Sequence, residues 1–271
     1  MGGPQWVVGT GTGGVAMANR DFSKPFAGAD AELAFPGDIG IGGHGRPAQR
    51  TQEWLTYHGQ RPVIDGDFGP ATERYVRVFQ GVAGLPQTGV VDTATRAALT
   101  APLARAMRPI DGAGHTLNEM VVAYARQHLA EHPIEIGGPN DGPWVRAAML
   151  GNGGRIWAWC CGWVSLVLAQ ACASKGVPPP FTPSFGVPNL ARAAKAKGRF
   201  MADGPAAPGD VFVIPTATGS WSHTGFVLEW NGPTAKFLSG EANTNREGGS
   251  DGEVARSLLR SPLRCDFLRV G

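Results

Sequence analysis

Trp157-Ala158-Trp159-Cys160-Cys161-Gly162-Trp163-Val164-Ser165-Leu166-Val167-Leu168-Ala169-Gln170-Ala171 starts as a loop and becomes a helix, which Gly176 and Pro178 then stop. At helical spacing Cys160, Val164, Val167, Leu168 and Ala171 share one face, and that face is apolar and must pack on something. Cys161 falls instead with Ser165 and Cys172. Cys160 therefore sits at or near the helix start and points at the layer beneath. The unsatisfied backbone N–H groups at that end favour a thiolate and could hold an oxyanion. Taken alone, the two cysteines read equally well as small buried residues, because free Cys packs as a hydrophobe.

The segment that could lie beneath the helix is on the C-terminal side. Pro208-Gly209-Asp210 is a turn leading into a strand, Val211-Phe212-Val213-Ile214. Trp221 to Trp230 then alternates, Asn231-Gly232 makes a hairpin turn, and a strand returns near Ala235 to Gly240. His223 begins the outgoing strand, while Glu241 and Asn243 end the returning one. The hairpin predicts Glu241 opposite or diagonal to His223. A carboxylate or amide there can orient an imidazole, which is the third role in a nucleophile–base–orienter set.

This half of the chain resembles the CHAP amidase/peptidase family, which is related to the NlpC-type wall peptidases and is papain-like in layout. The resemblance is carried by Trp159-Cys160 and Val164, by Pro208-Gly209-Asp210, by Ser222-His223-Thr224-Gly225 and by Glu241-Ala242-Asn243-Thr244-Asn245. It implies Cys160 as nucleophile, His223 as base, Glu241 as orienter and Asn243 as a further polar member, with Trp159, Cys161, Trp221 and Ser222 lining the substrate. It also implies helices packed on an antiparallel sheet over residues 116–271. The second cysteine and the long insert Gly137 to Gly154 depart from the family pattern, and the insert offers too few carboxylates for a metal loop.

Ahead of this lies a smaller unit. A helix is predicted from about Pro47 to His58, and a loop, Gly59 to Gly69, carries the turn signal Asp65-Gly66-Asp67. Pro70 opens a second helix with Tyr75, Val76, Val78, Phe79 and Val82 on a mainly apolar side. Asp92 caps a third helix, Thr93 to Leu99. The stretch Gln49 to Leu99 resembles the three-helix peptidoglycan-binding domain of many wall hydrolases, on Ile64 to Thr72, Val78-Phe79-Gln80 and Gly84 to Asp92. The resemblance implies binding to glycan-peptide strands, with Asp65, Phe68 and Gln80 as candidate contacts. Turn chemistry alone makes Asp65, Gly66, Gly69 and Gly89 structural.

The expected architecture is α+β: an irregular arm over 1–45, a small three-helix bundle over 46–101, a linker over 102–115, and a papain-like domain over 116–271. Thr116-Leu117-Asn118-Glu119 reads as a capping box opening a helix to about His128. His128 and His132 stand four apart and could share a metal, but no third ligand is evident, and a solvated helix end where the dipole favours cationic His is the expected reading.

Composition agrees. Apolar residues make up 42% of the 271, enough for a core, and charged residues 17%, too few for a disordered chain. A formal charge of +2 argues against a nucleic-acid partner, which needs a clustered basic face. No apolar run approaches the ~20 residues that cross a bilayer, so membrane insertion is not expected. Met1 to Arg20 lacks the basic start and apolar run of a secretory signal. Synthesis in the cytoplasm is therefore expected, with release onto the wall by a phage lysis system or a dedicated export route. The four cysteines fit no zinc pattern, and free thiols are expected. The reading is a monomeric, cofactor-free peptidoglycan amidase or endopeptidase. Its alternatives are a wall-binding or structural protein without catalysis, and a cysteine acyltransferase on the same scaffold.

Overall fold

A computed structural model describes residues 21–34, 37–202, 204–245, 247, 249 and 252–271. Among them the fold is mixed α+β, with eight α-helices and one six-stranded antiparallel sheet. None of these helices is long and apolar enough to cross a membrane.

The first helices form the N-terminal bundle: α1 (Ala27–Leu33), α2 (Arg46–Tyr57), α3 (Pro70–Val82) and α4 (Thr93–Ala106). Proline in the first turn opens α2 and α3, where its missing N–H costs no helical bond. The Asp92 side chain caps α4 by accepting from Thr95 N–H at 2.8 Å. Trp54, Leu55, Phe68, Val76, Phe79, Leu99 and Leu103 fill the core.

Two buried glutamines stitch this bundle in the same way. Gln52 accepts from Gly66 N–H and donates to Asp67 C=O and Thr72 Oγ1. Gln80 accepts from Gly89 N–H and donates to Val90 C=O and Thr95 Oγ1. In each case the amide locks a turn whose glycine has positive φ (76° at both Gly66 and Gly89) to the first turn of the next helix.

Three expectations change here. The irregular arm of 1–45 lies partly outside the described residues, but its described part contains α1. Residues 39–45 are also woven into the bundle, through the bridges Ile39–Val91 and His44–Asp67. The third helix does not stop at Leu99 but runs to Ala106 through Pro102. Burial of Leu103 and Ala106 on the far side of that proline offsets the helical bond it removes. The linker of 102–115 consequently begins as helix. It is held to the second half by Gln127 and Gln170, which both donate to Ala106 C=O.

The second half holds α5 (Leu117–Leu129), α6 (Pro143–Ala148), α7 (Cys160–Lys175) and α8 (Val187–Ala196). The capping box at Thr116 and Glu119 is formed. The strands are β1 (Phe200–Met201), β2 (Val211–Pro215), β3 (Trp221–Glu229), β4 (Phe237–Thr244), β5 (Val254–Arg260) and β6 (Asp266–Leu268). Their order is β1-β6-β2-β3-β4-β5. Alternation sorts the side chains. Val211, Val213, Phe226 and Leu228 join the large helix-side core around Trp163, while Phe212, Val227, Phe237 and Phe267 form a second cluster.

The insert of 137–154 contributes α6, whose Trp144 and Ala147 pack into the bundle core. A buried ionic knot fixes this junction. Arg146 on α6 donates to Glu32 on α1 at 2.7 Å, to Glu53 on α2, and to Asp141 at 3.2 Å. Arg146 is 6% exposed and both glutamates are 1% exposed. At Gly28 on α1 a Cβ would lie 2.3 Å from Arg146 C=O, so only glycine lets α1 approach α6 this closely.

Candidate active site

The helix α7 begins at Cys160 and has no side-chain cap at Trp159, so its first-turn N–H groups are left without a side-chain acceptor. Cys160 is 3% exposed and Cys161 is fully buried. Burial, with the adjacent Cys160 second, pushes the Cys161 thiol well above the usual thiol range. Cys161 is thus held as a neutral thiol inside the core. The two cysteines nevertheless differ less in burial than a one-faced helix predicts. Every residue from Cys160 to Cys172 is buried, because α7 is enclosed by other elements rather than lying on one layer.

His223 sits on β3, and its Nε2 is 2.9 Å from Glu241 Oε2 on β4. Both residues are fully buried. The other ring nitrogen, Nδ1, closes no aligned hydrogen bond. Cys160 lies beside the ring, close enough to act on its ionisation by hydrogen bonding and by charge. A Cys–His pair that is near but not aligned is common before substrate binds. Burial opposes the imidazolium, yet Cys160 and Glu241 overcome it and push the His223 pKa up to about 9. Burial also opposes the Glu241 carboxylate, but Arg260 and His223 hold its pKa down to about 2.

Arg260 was not anticipated from the sequence. It lies on β5, a strand not read there, and donates Nε to Glu241 Oε1 at 2.7 Å and Nη2 to Oε2. Ser239 Oγ also donates to Glu241 Oε1. The carboxylate is therefore clamped from one side by a fork of two N–H groups and from the other by the imidazole. The only sequence signal was an arginine in the alternating stretch Val254–Arg260. Its register against β4, which pairs Phe237 with Arg260, could not be read.

Other anticipated residues are placed differently. Asn243 is buried at a bulge between Glu241 and Thr244 and has left-handed φ of 55°. Because Nε2 of His223 is taken by Glu241, Asn243 does not orient that nitrogen. Trp159 is fully buried and donates Nε1 to Glu135 at 2.9 Å, and Cys161 is fully buried beside it. Trp221 is partly buried and donates to Asp266 Oδ2 at 2.8 Å, while Ser222 is exposed. His128 is not a solvated helix end, and among the described residues no His/Cys/Asp/Glu cluster forms with it. It is fully buried, pairs Nε2 with Gln170 at 2.7 Å, and is kept neutral by burial, with a pKa near 4.

In the bundle, Phe68 and Gln80 are 1% exposed, the first in the core and the second saturated by hydrogen bonds. Asp65 is exposed, and it accepts from Asp67 N–H and from Gln52. These bonds hold its carboxyl below the usual range and identify it as a turn former.

A sequence-family model described as "Putative peptidoglycan binding domain" matches residues 45–99. That range covers α2, α3, the two glutamine-stitched turns and the first part of α4. The bundle is accordingly a domain of cell-wall association, with peptidoglycan as its partner. No curated protein and no solved structure matches the chain.

Proposed function

We propose that the protein hydrolyses an amide bond of peptidoglycan, with Cys160 as nucleophile and His223 as acid–base. The reading rests on one observation above the others: a thiol at an uncapped helix start stands beside a buried imidazole whose far nitrogen is fixed by an Arg-clamped carboxylate. A structural core has no need to bury His223, Glu241 and Arg260 together, since an apolar set would be at least as stable.

In the first step the Cys160 sulfur attacks the amide carbonyl carbon. The Cys160 proton is already carried by His223 Nδ1 in an imidazolium–thiolate pair, and the developing oxyanion is met by first-turn N–H groups of α7. The imidazolium then protonates the leaving amine, the C–N bond breaks, and an acyl thioester remains on Cys160. Water, deprotonated by the same nitrogen, attacks the thioester, and departure of the thiolate restores the pair. Glu241 keeps the ring oriented with Nδ1 toward Cys160, and it stabilises the imidazolium. The bundle supplies the wall target, and the ionic knot at Arg146 holds the two halves in one orientation.

The test is digestion of purified peptidoglycan followed by mass spectrometry of the soluble products. New amine and carboxyl termini at one bond, absent with Cys160→Ala, are expected. Intact muropeptides after prolonged digestion would rule the hydrolase reading out, and transfer of an acyl group to an added amine would favour an acyltransferase.

A further inference from the structure

Beside the His223–Glu241–Arg260 array the sheet carries an open cavity of about 660 Å³. Its wall includes Ile214, Ser222, Lys236, Arg260, Ser261 and Arg264, and among the described residues no carboxylate lines it. Arg260 is already engaged with Glu241. Among the described residues neither Lys236 nor Arg264 has an ion-pair partner. Lys236 and Arg264 thus join the Glu241-paired Arg260 on one concavity with two hydroxyl groups, and among the described lining residues none carries the opposite sign. Such a shape focuses positive potential and concentrates anions. Guanidinium forks with nearby hydroxyls suit the oxygens of a carboxylate or a phosphate.

We propose that this cavity is an anion subsite that receives an oxyanion group, carboxylate or phosphate, while the scissile amide lies at Cys160. Two chain neighbours tie it to the reaction centre. Ser222 precedes His223, and Arg260 forms part of the wall while holding Glu241. An oxyanion bound there anchors the substrate at a fixed distance from the nucleophile. In a wall polymer that group is either the free carboxylate of a peptide stem or the phosphate of a glycerol-phosphate chain. The assignment to a wall polymer rests on the hydrolase reading. The affinity for an oxyanion does not.

The experiment uses the full-length Cys160→Ala protein, which binds without cutting. It is titrated calorimetrically with N-acetyl-D-alanyl-D-alanine, with the C-terminal amide of the same peptide, and with glycerol phosphate. At least one of the two anions should bind and the amide should not, and the tighter anion identifies the source. Adding Lys236→Gln and Arg264→Gln, both at exposed positions, should weaken that binding by about tenfold or more with an unchanged melting temperature. Binding should also weaken as salt is raised. The proposal is overturned if neither anion binds, if the amide binds as well as the acid, or if the double variant binds like its parent. Hydrolysis of purified peptidoglycan by the unsubstituted protein is measured in parallel. Anion binding without hydrolysis would keep the subsite and remove the hydrolase reading, whereas hydrolysis without anion binding would remove the subsite alone.

Discussion

His223 and Glu241 are hydrogen-bonded at 2.9 Å although they do not face each other in the ladder: the residue opposite Glu241 is Gly225. The pair is diagonal across β3 and β4, and Gly225 makes the diagonal possible. A Cβ at that position would lie 2.4 Å from Gly240 C=O and 2.9 Å from Glu241 Cγ. The absent side chain leaves the room in which the carboxylate leans toward the imidazole.

Gly225→Ala is therefore expected to impair activity through Glu241 rather than through general unfolding. A Cβ pressed on a backbone carbonyl forces the strands apart or tips Glu241 off His223. Activity should drop by roughly tenfold to a hundredfold, in line with a misplacement of about 1 Å, while the far-ultraviolet spectrum is retained. An alanine variant as active as the parent would show that the diagonal contact is dispensable.

The two cysteines should separate cleanly. Cys160→Ala should abolish peptidoglycan cleavage and cost little stability. Cys161→Ala should keep most of its activity, because a neutral, fully buried thiol takes no part in the reaction. Turbidity loss of a wall suspension reads both, and the reverse outcome would move the nucleophile to Cys161.

The Glu241 carboxylate should govern the titration of His223. The folded pKa of His223, about 9, lies above its unfolded value of 6.5. Its contribution to stability is therefore fully present below pH 6.5 and is lost as pH rises through about 9. Glu241 runs the other way: its folded pKa of about 2 lies below its unfolded value of 4.5, so its contribution is present above pH 4.5 and lost as pH falls toward 2. Glu241→Gln should bring the His223 titration, followed by imidazole proton resonances, well below 9. It should also move the alkaline limb of the pH–rate profile in the same direction and cut activity by orders of magnitude. An unmoved His223 titration would leave Glu241 as a packing residue.

Arg260 acts through Glu241, so Arg260→Gln should lower activity and shift the same alkaline limb. A loss of stability alone, with an unshifted profile, would mark Arg260 as structural. Its packing over the Phe212 ring, 5.9 Å from the centroid, makes some destabilisation expected in either case.

Arg146→Ala should destabilise the whole molecule by about 3–5 kcal/mol, because Glu32 and Glu53 would remain buried without their cation. For the same reason, removing residues 1–111 should not yield an independent hydrolase. It would expose Trp144 and Ala147 and strip Arg146 of two carboxylates. A single melting transition in the intact chain and aggregation of the truncated one are the expected observations. Two separated transitions would argue for loosely tethered domains.

Local features were legible where a short stretch carries its own physics. Proline at the first turn of α2 and α3, the Asp92 cap, the Thr116–Glu119 box and the β3–β4 hairpin depend on neighbours in the chain, and each is legible in the sequence alone. So is the proximity of His223 and Glu241, because a hairpin with a known turn fixes register within a residue or two. What needed the tertiary structure was everything set by distant partners. The Arg260 clamp arises from β5, which follows a long loop. The burial of Phe68, Gln80 and Trp159 turned exposed-looking candidates into framework. The ionic knot joins Glu32, Glu53 and Arg146 from three segments, each with an ordinary surface sequence. A charge in a sequence carries no sign of whether a partner a hundred residues away will desolvate and pair it. That is decided only when the helices that bear them close on one another.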